Sequence, residues 1–166
     1  MAVTENTSEV IGGPLFVTLG GTTLGHTIGD GTVNIEKEVV DFFVNKTGPN
    51  VPIKSTTRGI SATIDITLAQ FTPEIMSVLF PEGTFAGGVF SQGNAANFDL
   101  LGSAGILVAS GAGGDQWTFP AAFVTGGLAV EHKEDSTQTG LPVTFQAVLN
   151  PADIDAPDAL YKLEQF

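Results

Sequence analysis

The sequence contains no cysteine. That excludes a disulfide framework, a thiolate metal site and a cysteine nucleophile, and it fits folding in a reducing compartment. Positive charge is scarce: six Lys and Arg stand against 18 Asp and Glu, for a formal charge of −12. Such a chain repels a phosphate backbone, which argues against conventional nucleic-acid binding. Long hydrophobic runs are also missing. The longest nearly uncharged apolar stretch, Gly102 to Gly114, is broken by Gly and Ser and falls well short of the ~20 apolar residues a membrane helix needs. The first ten residues carry Glu5 and Glu9 but no Lys or Arg, so no secretory signal is expected there.

What remains is the composition of a β protein. Gly is frequent at 21 residues, Thr is abundant, and 12 Phe supply most of the aromatic content. Gly and β-branched residues are poor helix formers. At 166 residues one domain spanning 1–166 is expected. A chain of this size buries roughly 70% of the surface its unfolded form exposes.

Leu15 to Leu19 reads as a first strand stopped by Gly20 and Gly21, and Thr22 to Ile28 continues extended to a turn at Gly29-Asp30-Gly31. Asp30-Gly31 between apolar runs predicts a hairpin turn. Thr32 to Val44 is a long β-prone segment. Val33 and Ile35 alternate with polar neighbours, and the phase then changes around Asp41, which predicts a bulge or a bend. Asn45 to Thr57 holds two prolines and a glycine and reads as a projecting loop or arm. Folded back on itself it reaches on the order of 20 Å. Ile60 to Leu68 alternates strictly: Ile60, Ala62, Ile64, Ile66 and Leu68 share one face, and Ser61, Thr63, Asp65 and Thr67 the other. That is the signature of a strand with one buried and one wet face.

Thr72-Pro73-Glu74 predicts a helix start, with Thr as N-cap, Pro at the first helical position and Glu at the positive dipole end. Ile75, Met76, Leu79 and Phe80 form its apolar stripe. Short strands are expected in the Gly-rich stretch to Gly114, with Gly105 to Ser110 the best of them. Further strands are predicted at Gln116 to Phe123, Gly127 to His132 and Leu141 to Leu149. Asn150 to Phe166 reads as an acidic tail with a short helix at Asp158 to Glu164. About seven strands and one helix predict a mainly β, two-sheet sandwich or barrel with one short helix.

No motif for chemistry stands out. The two histidines, His26 and His132, have no sequence signature tying them to a nucleophile. Asp153, Asp155 and Asp158 form a loose carboxylate cluster that reads as tail charge rather than a cation loop. Gly111 to Gly114 lacks the Lys-Ser/Thr of a phosphate-binding loop. One Trp and one Tyr make a thin sugar site for paired-carboxylate chemistry. Neither a catalytic residue nor a bound cofactor or metal is expected.

Four of the six basic residues, Lys37, Lys46, Lys54 and Arg58, lie within 22 positions. A basic segment on an acidic body is suited to docking on a neighbouring copy.

From Gly20 to Leu79 the order of features resembles the tail tube (major tail) proteins of long-tailed bacteriophages. A short strand and Gly-rich turn precede a long Val- and Phe-rich strand and a Pro/Gly loop. Arg58-Gly59 then opens an alternating strand that runs through Leu68-Ala69-Gln70 into the Thr72-Pro73-Glu74 helix. Where related proteins often have Glu, this chain has Gln70. The resemblance implies a structural, non-enzymatic subunit whose hexameric rings stack into a hollow tube. DNA would pass through that tube without specific binding. It further implies a virion tail location, assembly in a host cytoplasm, and partners that are other tail proteins: tape measure, terminator and possibly sheath. No membrane is involved. Within that frame the arm residues Lys46, Pro49, Pro52, Lys54 and Arg58 are candidates for contacts between subunits or rings. Ser61, Thr63, Asp65 and Thr67 are candidates for the lumen, where acidic charge would keep DNA from sticking. Two readings from other classes compete: a glycan- or receptor-binding β-sandwich of a virion or cell surface, and a small hydrolase.

Overall fold

Gly20 and Gly21 make the first reversal of the chain. With φ of 57° and 82° they form the two-residue turn whose twist matches paired strands, a conformation that disfavours any side chain. The turn joins β1 (Phe16–Leu19) to β2 (Thr22–His26). The computed structural model describes residues 13–42, 52, 54–93, 96–126, 140–149, 152 and 155–166. After β2 come the long β3 (Thr32–Phe42) and β4 (Lys54–Leu68), the helix α1 (Pro73–Leu79), and the small hairpin β5 (Thr84–Ala86) and β6 (Val89–Ser91). Then follow β7 (Gly105–Ser110), β8 (Asp115–Thr125), β9 (Leu141–Ala147) and β10 (Lys162–Gln165).

The protein is mainly β, with two antiparallel sheets. The large sheet has the order β2-β1-β7-β8-β9-β4-β3, with β10 beside β8, and β5-β6 form the small one. The end of β2 also meets the end of β4. Ile28 N–H donates to Thr67 O at 2.7 Å and Ala69 N–H to His26 O at 2.9 Å. The large sheet therefore curls over its own apolar face, as the two layers of a sandwich do, and one core fills the space.

Cross-strand rows build that core. Val33, Ile64, Phe145 and Val124 lie in one row across β3, β4, β9 and β8. Ile64 and Phe145 are fully buried, as are Val17, Leu24, Leu68, Leu107, Phe119 and Leu141. Each such side chain contributes about 1.5–3 kcal/mol of transfer free energy. The alternation predicted over Ile60 to Leu68 is present from Ala62 onward: Ala62, Ile64, Ile66 and Leu68 are buried, while Ile60 is exposed.

α1 forms for the reasons its sequence implies. Thr72 Oγ1 accepts the Ile75 N–H at 3.2 Å, and Pro73 opens the first turn. Ile75 and Leu79 bury the inner face, and Pro81 follows the cap residue Phe80, where the helix stops. The bulge expected in β3 around Asp41 is not there: Asp41 pairs in regular register with Ser55, and the irregularity lies nearer the middle of the strand and on its partner. The β3–β4 register shifts between Glu38 and Val39, where Arg58 is the additional residue on β4.

Four further expectations are corrected. Asp30-Gly31 does not close a hairpin: β2 pairs with β1 and β3 pairs with β4. Instead, Gly31 passes close to the core, where a Cβ would meet Leu15 Cδ1. Turn chemistry marks a change of direction, but the partner is set by whichever sheet edge the strand can cover. Lys54 to Thr57 belong to β4 and not to a loop, because β3 supplies a partner for each of them. The helix expected at Asp158 to Glu164 is replaced by a turn and the strand β10, since the edge of β8 at Asp115–Thr118 satisfies its backbone. Finally, β9 ends at Ala147 and is not the last strand, and ten strands are described rather than seven. The strand expected at Gly127 to His132 lies outside the described residues.

Candidate assembly surface

The face of β4 that points away from the core carries Ser61, Thr63, Asp65 and Thr67. Strand pairing extends it sideways into polar rows. Thr32, Asp65, Thr144 and Thr125 form one row; Asn34, Thr63 and Gln146 lie in the next, which ends at Phe123. Asp65 is the charged centre. Its Oδ2 accepts the Asn34 amide at 3.2 Å, and its Oδ1 accepts the Thr144 hydroxyl at 2.5 Å. The carboxylate thus ties β3, β4 and β9 together on a wet face of hydroxyls and amides. This side can present water-bound polar groups and negative charge to whatever lies opposite.

Beyond the core, β3 and β4 continue together as a two-stranded ribbon. β9 pairs with β4 only from Ala62 to Leu68. Among the described residues, no strand covers that edge of β4 from Lys54 to Ser61. The ribbon side that continues the core face is open and mixed: Ile35, Val39 and Ile60 are each 41–50% exposed, and Lys37 stands opposite Ile60. Ile60 therefore does not pack into the core, because β4 has already left it. An open groove of about 410 Å³ lies beside this edge, lined by Ile60, Leu101, Ala147, Leu149 and Leu160 among others. An uncovered strand edge flanked by apolar side chains is a template for pairing with another chain.

Of the arm residues, Pro52 and Lys54 are exposed, with Lys54 at the start of β4 opposite Phe42. Lys46 and Pro49 lie outside the described residues. Arg58 sits at the bulge and pairs with Glu38 across the ribbon, Nη1 to Oε1 at 3.2 Å. The basic segment is thus partly answered within its own chain by the acids of β3. The acids Glu36 and Glu38 on one face of β3, paired with Ser61 and Gly59 beside Arg58, are the signal sequence reasoning missed.

The other chemistry-bearing residues are scattered. His26 is exposed and rests against Phe16, ring centroids 5.2 Å apart. Asp155 and Asp158 are exposed, while Asp153 and His132 lie outside the described residues. No group of three or more His, Asp or Glu among the described residues could hold a metal ion. No helix among them is long and apolar enough to cross a membrane. On β10 the Lys162 ammonium donates a hydrogen bond to the Glu164 carboxylate, which, with the carboxylate's charge, raises the Lys162 pKa above its usual value.

In sequence the chain matches no family model and no curated protein. In structure it is similar to the tube-terminating cap of the anti-feeding prophage. That likeness has a TM-score of 0.52 and 12% identity, and covers 100% of this chain and 95% of the cap. A chain of the sheath–tube complex of an extracellular contractile injection system, the PVC, aligns with a TM-score of 0.49 and 12% identity over 92% of this chain and 88% of that one. At this identity the likeness to the cap establishes a shared fold.

Proposed function

We propose that the chain is a structural subunit of a phage-tail-like particle, forming stacked, hexameric rings of a hollow tail tube. The carrying observation is the end-to-end correspondence with a protein described as a tube-terminating cap, which leaves almost nothing of either chain unmatched. Two features of the molecule support the reading. The edge of β4 and the exposed Ile35, Val39 and Ile60 of the ribbon offer a surface that a second copy can cover. The Asp65 face offers a wet, acidic wall along which DNA would pass without adhering. In this reading no residue is catalytic and no cofactor is held. The protein works in a virion tail assembled in a host cytoplasm, beside tape-measure, terminator and, in a contractile particle, sheath proteins.

The likeness to a tube-terminating cap supports a second reading, a subunit that ends a tube where a tube subunit continues it. Negative-stain microscopy of the concentrated protein separates them: long tubes mean a tube subunit, and solitary rings mean a cap. Protein that stays monomeric in every solvent removes both.

A further inference from the structure

Residues 159–166 dock on β8 as a compact unit. Ala159 is buried. The Tyr161 ring lies 5.9 Å from Trp117 and 6.4 Å from Phe119. Lys162 to Gln165 pair with Thr118 to Asp115, and Phe166 N–H donates to Gly114 O at 3.0 Å. The unit is tethered to β9 by residues 149–158, LNPADIDAPD, with two prolines and three aspartates. Every described tether position is exposed except half-buried Ala156. β9 and β10 lie on the same edge of β8, both antiparallel to it. The chain leaves that edge after Val148, whose N–H donates to Ala121 O at 2.9 Å, and returns to it at Lys162.

This is the anatomy of an exchangeable element: a docked strand, a tether whose described positions are mostly exposed, and an edge that accepts it. The unit's ion pair, Lys162 to Glu164 at 2.8 Å, is internal and moves with it. Leu163 and Phe166, 51% and 83% exposed, are only partly covered by the unit's own β8. An identical unit from another copy makes the same backbone bonds and the same aromatic contacts, so exchange loses no docking contact. Ten tether residues span about 33 Å when extended.

We propose that, on assembly, residues 159–166 leave their own β8 and dock on the β8 of a neighbouring copy, stitching subunits together by head-to-tail strand exchange around the ring. This inference rests on the self-assembly reading above.

Gln116 and Glu164 are cross-strand partners, and antiparallel partners lie within disulfide range. With no native cysteine, any link formed is unambiguous. Chains carrying Gln116→Cys are mixed under reductant with chains carrying Glu164→Cys, concentrated until rings or tubes form, oxidised, and run on a denaturing non-reducing gel. Exchange yields a disulfide-linked dimer of the two kinds of chain, at several times the level from either chain assembled alone. Rings or tubes that release only monomers overturn the exchange and leave assembly standing. Absence of rings and tubes from the unaltered chain removes both. The double variant supplies a second measurement. Oxidised while dilute, it locks each unit on its own β8; locked protein that assembles only after reduction supports exchange, and locked protein that assembles as readily as its reduced form overturns it.

Discussion

The Asp65 carboxylate on β4 accepts the hydroxyl of Thr144 on β9, 79 positions away in sequence. From the other side Asn34 on β3 donates to the same carboxylate. One exposed acid therefore cross-links three neighbouring strands on the face turned away from the core. The bond carries charge but lies in water, so its worth is that of an ordinary hydrogen bond, about 1 kcal/mol. Asp65→Ala and Thr144→Val are each expected to lower the urea-unfolding free energy by about 1 kcal/mol, and the double variant by less than the sum. Strict additivity in that cycle would show that the two side chains do not cooperate in solution.

The row beneath that face predicts a much larger effect. Ile64 and Phe145 are paired and fully buried. Phe145→Ala leaves a cavity the row cannot close and is expected to cost about 3–5 kcal/mol, while Ile64→Val costs about 1 kcal/mol. Denaturant midpoints check both values, and a Phe145→Ala loss below 1 kcal/mol contradicts the packing described.

The Gly20-Gly21 turn predicts a backbone effect without a contact. An added Cβ at Gly21 meets nothing within 4 Å, yet φ is +82°. Gly21→Ala is therefore expected to destabilise by about 1 kcal/mol through conformation alone. Gly21→Asn is expected to cost less, because Asn tolerates positive φ. Equal losses for the two variants would place the cost elsewhere than in φ.

Under the assembly reading, the ribbon governs association and not folding. Lys46→Glu with Lys54→Glu is expected to shorten or abolish tubes while leaving the thermal midpoint of the dilute protein within a few degrees of the parent. Each exposed pair is worth only ~0–1 kcal/mol, so repetition around a ring has to supply the strength. Tubes of normal length from this variant, measured by negative-stain microscopy, would remove the arm from the interface.

Placing the Ser61 to Thr67 face on the lumen predicts an effect on DNA. Ser61→Lys with Thr63→Lys puts cations on every subunit's wall. Tubes of that variant are expected to retain DNA at low salt and release it as salt rises. Retention no greater than that of unaltered tubes would turn this face away from the channel.

Features determined within a few consecutive residues were legible in the sequence. The alternation from Ala62 to Leu68 requires a strand with one buried face. Thr72-Pro73-Glu74 requires a helix start, because capping and dipole effects act within one turn. What tertiary structure decided is who pairs with whom. Asp30-Gly31 marks a turn, but β2 and β3 find different partners. Lys162 to Gln165 become a strand only because β8 has an open edge there. Ile60 follows the core pattern and yet stays exposed, because β9 ends at Ala147 and the core ends with it. Local sequence sets the conformation of a segment, whereas backbone hydrogen bonds between strands are non-local and go to the edge that packing of the whole chain leaves free.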